Sequence, residues 1–105
     1  MTKQMIAVTA CITGIAHTYM AKANLEKFAK KAGYEIKVET QGAMGVENRL
    51  NTDEIKNADV VVFAVDTTVV ERERFEGKKI YEVGTSEVVK DGEKVVNEAI
   101  AEAVV

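Results

Sequence analysis

The stretch Ala58-Asp-Val-Val-Val-Phe-Ala-Val65 limits the fold of this chain more than any other segment. From Val60 to Val65 it is apolar without a break, which is strand length and too short for a buried helix. A strand without alternation is covered on both faces, as a central strand of a parallel sheet is. Met5-Ile-Ala-Val-Thr-Ala10 reads the same way, with a single threonine interrupting it. Between the two runs the periodicity changes. Ala21, Leu25, Phe28, Ala29 and Ala32 recur at helical spacing from Ile15 to about Ala32, and Lys30-Lys31 before Gly33 is a helix stop. Tyr34-Glu-Ile-Lys-Val-Glu-Thr40 alternates apolar and polar residues, so it is expected to be a strand with one wet face, at an edge of the sheet.

The rest of the chain follows the same rhythm. Gln41 to Leu50 is punctuated by glycine and reads as irregular. Asn51-Thr-Asp-Glu54 starts a short helix, with Asn51 or Thr52 as N-cap. Asp66 to Phe75 reads as a loop with room for one helical turn, and Lys79 to Val83 as a fourth strand. Asp91-Gly92 signals a turn, after which a helix from about Glu93 to Ala103 buries Val95, Val96, Ala99, Ile100 and Ala103. Strands alternating with helices predict an α/β fold. The expected form is a three-layer sandwich whose four-stranded parallel sheet has the order 2-1-3-4, with helices on both faces.

Composition sets the remaining bounds. The chain has 105 residues, 47% of them hydrophobic, enough for one domain spanning 1–105 to fold around its own core. With no proline and seven glycines, turns fall to Gly, Asn, Asp and Thr. The net charge of −3 is scattered, without the basic stripe of a nucleic-acid binder. A single cysteine forms no intramolecular disulfide, which fits a cytoplasmic chain. No apolar run is long enough to span a bilayer, so any membrane association has to come through another chain or domain.

That cysteine, Cys11, follows the first strand and opens the run Cys-Ile-Thr-Gly-Ile-Ala-His-Thr18 ahead of the first helix. A thiol there faces free helix N–H groups, which lower a cysteine pKa and bind anions. Gly14 permits a turn whose backbone approaches an anion closely, and Thr13 or Thr18 offers a hydroxyl. His17 stands where cysteine-dependent phosphatases hold an arginine to grip phosphoryl oxygens. It is expected to play an auxiliary role. Gln41 to Gly45 leaves the second strand at the same sheet edge, as a wall of the site, a docking surface or a connector. Asp66 could act as an acid, with helix capping or a turn the commoner role. Glu71-Arg-Glu-Arg74 reads as a solvated face, or a partner-binding rim. One Cys and one His make no metal set, and no residue pattern asks for a cofactor. A low-molecular-weight phosphatase or an arsenate-reductase-like enzyme is the alternative, but it would want arginine at position 17 or further cysteines.

Cys11 to Thr18 resembles the active-site segment of the fructose-type IIB domains of the bacterial phosphoenolpyruvate-dependent sugar phosphotransferase system. Val38-Glu-Thr-Gln-Gly42, Gly45, Asn48, Asp66, Arg74-Phe75, Gly77-Lys78 and Tyr81-Glu82 are similar to further marks of that family. The resemblance implies a phosphoryl carrier and transferase. Cys11 would accept a phosphoryl group from a phosphohistidine of the IIA component, within a loop of Ile12, Thr13, Gly14, Ile15, Ala16, His17 and Thr18. It would then pass the group to a sugar, fructose by default, bound by the membrane component IIC. The implied location is cytoplasmic, at the inner face of the membrane through IIC. Family members usually carry proline after the cysteine; Ile12 instead leaves a backbone N–H and a freer φ.

Overall fold

The two apolar runs lie side by side. In the computed structural model, which describes residues 3–10, 15–42 and 45–103, β1 (Lys3–Ala10) pairs in parallel with β4 (Val60–Val65), with Met5 opposite Val60 and Ala10 opposite Val65. β2 (Tyr34–Gly42) flanks β1 on the other side and β5 (Ile80–Val83) flanks β4, both in parallel. The four expected strands thus take their expected order. A fifth strand, β3 (Gly45–Glu47), extends the sheet beyond β2 in the antiparallel sense, giving the order β3-β2-β1-β4-β5.

β3 corrects two expectations. The sheet is five-stranded and mixed rather than four-stranded and parallel, and β2 is no edge strand where β3 covers it. A strand of three exposed residues carries too little periodicity to announce itself. Its entry depends on Gly45, whose φ of 90° suits a residue without Cβ. The wet-face reading of β2 also fails at its far end: Glu39, Thr40 and Gln41 are all buried.

Strand alternation divides the core into two. On one face, Met5, Ala7, Val38, Val60, Val62 and Ala64 meet α1 (Ile15–Lys31) and α3 (Thr85–Ala103). Ala21, Leu25 and Ala29 form the fully buried stripe of α1. Each large apolar side chain buried here contributes roughly 1.5–3 kcal/mol. On the other face, Ile6, Val8, Val61 and Phe63 are covered by α2 (Thr52–Asn57), a 3-10 turn (Arg72–Phe75) and the segments around them, through Leu50, Ile55, Val69 and Phe75. Phe75 packs edge-on to Phe63 with centroids 5.0 Å apart. α2 is held by a capping box: Asn51 Oδ1 accepts from the Glu54 N–H at 2.8 Å, and Glu54 Oε1 from the Asn51 N–H at 2.9 Å.

α3 starts earlier than expected, at Thr85, and the Asp91-Gly92 signal appears as a kink within it. Asp91 has φ −153° and ψ 75°, outside helical geometry. Its Oδ1 accepts from the Lys94 N–H at 3.1 Å, as an N-cap for the second half. Across the kink, the Asn24 amide donates to the carbonyls of Val88 at 2.9 Å and Val89 at 3.3 Å. A Cβ on Gly92 would meet Asn24 Cβ and Phe28 Cδ2 at 3.0 Å, so glycine here lets α1 and α3 approach. Among the described residues, no helix is long and apolar enough to cross a membrane.

Candidate functional site

The carboxyl ends of the four parallel strands share one edge of the sheet, and from β1 the chain turns to β2 on one side and later to β4 on the other. Ligands bind in open α/β sheets at such a reversal. The Asp66 N–H donates to the Ala10 carbonyl at 2.8 Å, fixing the ends of β1 and β4 against each other. Cys11, Ile12, Thr13 and Gly14 follow Ala10 in the chain and lie outside the described residues. For Ile15, Ala16 and His17 only the backbone is described, as the first turn of α1. Thr18 is only 2% exposed, placed against the sheet and not at the surface.

Thr18 has company. Along β1 the row facing α1 runs Met5, Ala7, Thr9, and along β2 it runs Ile36, Val38, Thr40, with Thr9 opposite Thr40 in register. The seam between α1 and the sheet is therefore apolar over most of its length. It turns to hydroxyls at the end that leads into Cys11. All three hydroxyls are buried and have no hydrogen-bond partner among the described residues.

On the opposite face, the same strand ends carry charge. Glu39 is fully buried, and its carboxylate accepts from both terminal nitrogens of Arg74 at 2.8 Å, from the Leu50 N–H at 2.8 Å and from Gln41 Nε2 at 2.5 Å. Burial pushes the Glu39 carboxyl up, but Arg74, the Leu50 N–H and Gln41 together bring it below the ordinary glutamate value. Arg74 therefore corrects the solvated-face expectation for 71–74. Arg72 and Glu71 keep to it, half-exposed and paired with Glu82 and Arg49. Each of the chain's three arginines is thus tied to a carboxylate.

Gln41 and Gly42 belong to a strand and not to a connector; Ala43 and Met44 lie outside the described residues. Gln41 Oε1 accepts from the Val70 N–H at 2.8 Å, and Nε2 donates to the Val70 carbonyl at 3.3 Å. Asp66 serves as a tie to the start of α3: its carboxylate accepts from the Thr85 N–H at 3.1 Å and from the Thr85 hydroxyl. That placement also suits the helix dipole. Among the described residues, Tyr19, Met20, Val46 and Val70 are the large apolar side chains left exposed, and all lie in segments at this end. Tyr19 reaches β3 through a hydrogen bond to Glu47, which raises its pKa. Sequence reasoning missed the Glu39–Arg74 pair and the Gln41–Val70 clamp; their traces were two polar residues on alternate positions of β2 and the presence of Glu39, Gln41 and Arg74 among the family marks.

Comparison with known proteins bears on this arrangement. Residues 6–98 match the family described as "PTS system, Lactose/Cellobiose specific IIB subunit". The chain is 46% identical over 101 residues to the "PTS system fructose-specific EIIB'BC component" of Xanthomonas campestris, covering 96% of this chain but spanning only 17% of that protein's length. It is 47% identical over 97 residues to the "PTS system fructose-like EIIB component 2" of Escherichia coli K12, covering 92% of this chain and 91% of that one. A crystal structure of a domain of the "fructose-specific iiabc component (Pts system)" of Borrelia burgdorferi superposes with a TM-score of 0.91 at 46% identity, over 96% of both chains. With four parallel strands in this order, a cysteine following a central one and the family pattern matched over most of its length, the chain belongs to the IIB components of the phosphotransferase system.

Proposed function

We propose that residues 1–105 act as one fructose-type IIB domain that carries a phosphoryl group on Cys11. The observation that carries this reading is the position of Cys11 in the chain, between the end of β1 at the strand-order reversal and the first turn of a 17-residue helix. The reaction needs an in-line nucleophile and stabilised charge on the phosphoryl oxygens. In the first step the S–P bond forms as the N–P bond of a phosphohistidine on IIA breaks, and the thiol proton ends on the released imidazole. In the second, a sugar hydroxyl takes the phosphoryl group and its proton returns to the thiolate. Residues 12–17 form the phosphoryl loop, with α1 N–H groups as donors and His17 as an auxiliary one, while the buried Thr18 backs it against the sheet. Fructose as acceptor follows the names of the similar proteins.

The paired arginines support a carrier. A guanidinium bound to a carboxylate is not free to grip a phosphoryl group as a phosphatase arginine does. The exposed Tyr19, Met20, Val46 and Val70 suit docking of IIA, and of IIC at the inner face of the membrane. The test is transfer of labelled phosphoryl from a phosphorylated fructose-type IIA protein. Wild type takes up an acid- and alkali-characterised thiophosphate, and Cys11→Ser lowers uptake by about a thousandfold or more. A normally labelled Cys11→Ser protein would sink the assignment.

A further inference from the structure

Glu39 and Arg74 bury opposite charges on a face that is otherwise apolar; the other ion pairs among the described residues are exposed or half-exposed. A buried pair adds little to stability compared with well-packed apolar groups, because desolvation offsets most of its attraction. What it supplies here is geometry. Arg74 spends its remaining donors on backbone carbonyls: Leu50 at 3.0 Å, Glu71 at 3.0 Å and Val70 at 3.2 Å. Gln41, bonded to Glu39, clamps both backbone polar groups of Val70, its N–H and its carbonyl. Glu71 next to it holds φ at 57°, a left-handed backbone that a residue with Cβ keeps only where its surroundings over-determine it. The whole device sits beside Ala10, which pairs with Gln41 in register and precedes Cys11.

We infer that Glu39, Arg74 and Gln41 are positioning residues for phosphoryl acceptance: they hold 69–71 as a fixed lip at the strand end leading to Cys11, and set how the phosphohistidine-bearing donor docks rather than how stable the fold is. The inference rests on Cys11 being the acceptor. Its test is the double variant Glu39→Gln with Arg74→Met, which removes both charges and keeps an acceptor for the Leu50 N–H. With a radiolabelled phosphorylated fructose-type IIA protein as donor, KM rises about tenfold while kcat stays within about twofold of wild type, and the double variant stays folded with a thermal midpoint well above that of Glu39→Ala. Gln41→Met, which leaves the ion pair in place, raises KM by a smaller factor. A double variant that fails to fold, or wild-type KM in both variants, overturns the inference. If wild type itself takes no label on Cys11, it is the acceptor reading that falls; if wild type labels normally while both variants keep its KM, only the lip is lost.

Discussion

The two faces of the sheet are closed in different ways. Against α1 and α3, two long helices offer mostly apolar stripes, and among the described residues polar groups enter at a few points: the threonine hydroxyls at one end and the Asn24 amide at the kink of α3. Against α2 and the 3-10 turn, the covering segments are short and irregular, and a charged cross-link joins them to β2. A helix of several turns satisfies its own backbone, so it can be held by burial alone. A loop has carbonyls and N–H groups to spare, and when it is buried these need partners. Arg74 and Gln41 supply them for Leu50, Val70 and Glu71.

This contrast predicts unequal penalties. Removing one charge on the loop-covered face costs most: Glu39→Ala leaves Arg74 uncompensated and is expected to lose about 3–5 kcal/mol in urea unfolding. The neutral double variant should recover most of that loss; a single variant as stable as wild type would break the contrast. The same pair makes this face acid-sensitive. Because Glu39 titrates below its ordinary value when folded, its contribution is complete above about pH 4.3, the value of a free glutamate, and is lost as the pH falls from there through the depressed folded-state value. Unfolding midpoints measured from pH 6 downward, roughly across that window, should fall more steeply for wild type than for the double variant.

On the helical face the weak point is close packing. Gly92→Ala pushes a methyl to 3.0 Å from Asn24 Cβ and the Phe28 ring, for an expected loss of about 1–3 kcal/mol. A smaller effect, about 1 kcal/mol, is expected from Asn51→Ala, which opens the capping box of α2. Both are read from urea midpoints. Little change in the first together with a large one in the second would mean that the loop-covered face depends on its helix and the helical face does not depend on glycine.

Much of this was legible beforehand. The four parallel strands and their order, both central runs, α1 and a cap of α2 at Asn51 or Thr52, of which the fold uses Asn51, follow from composition and period, and the resemblance carried by Cys11 to Thr18 agrees with the family the chain belongs to. The narrowing from phosphatase to carrier rested on His17 in place of arginine, and the pairing of all three arginines points the same way. β3 was not legible, because three residues do not make a pattern. Nor was the full length of α3, because Asp91-Gly92 reads identically as a turn between elements and as a kink within one.

By itself, then, the sequence determined the four parallel strands, the helices that alternate with them apart from the first half of α3, and which strands are central. Periodicity and apolar content belong to consecutive residues, and burial on one or both faces can be read from them. Only the tertiary structure decided what becomes of polar groups. Glu39 and Arg74 stand 35 residues apart. Whether a charge lies buried or wet depends on a partner brought by the fold, since a carboxylate leaves water only where enough donors meet it.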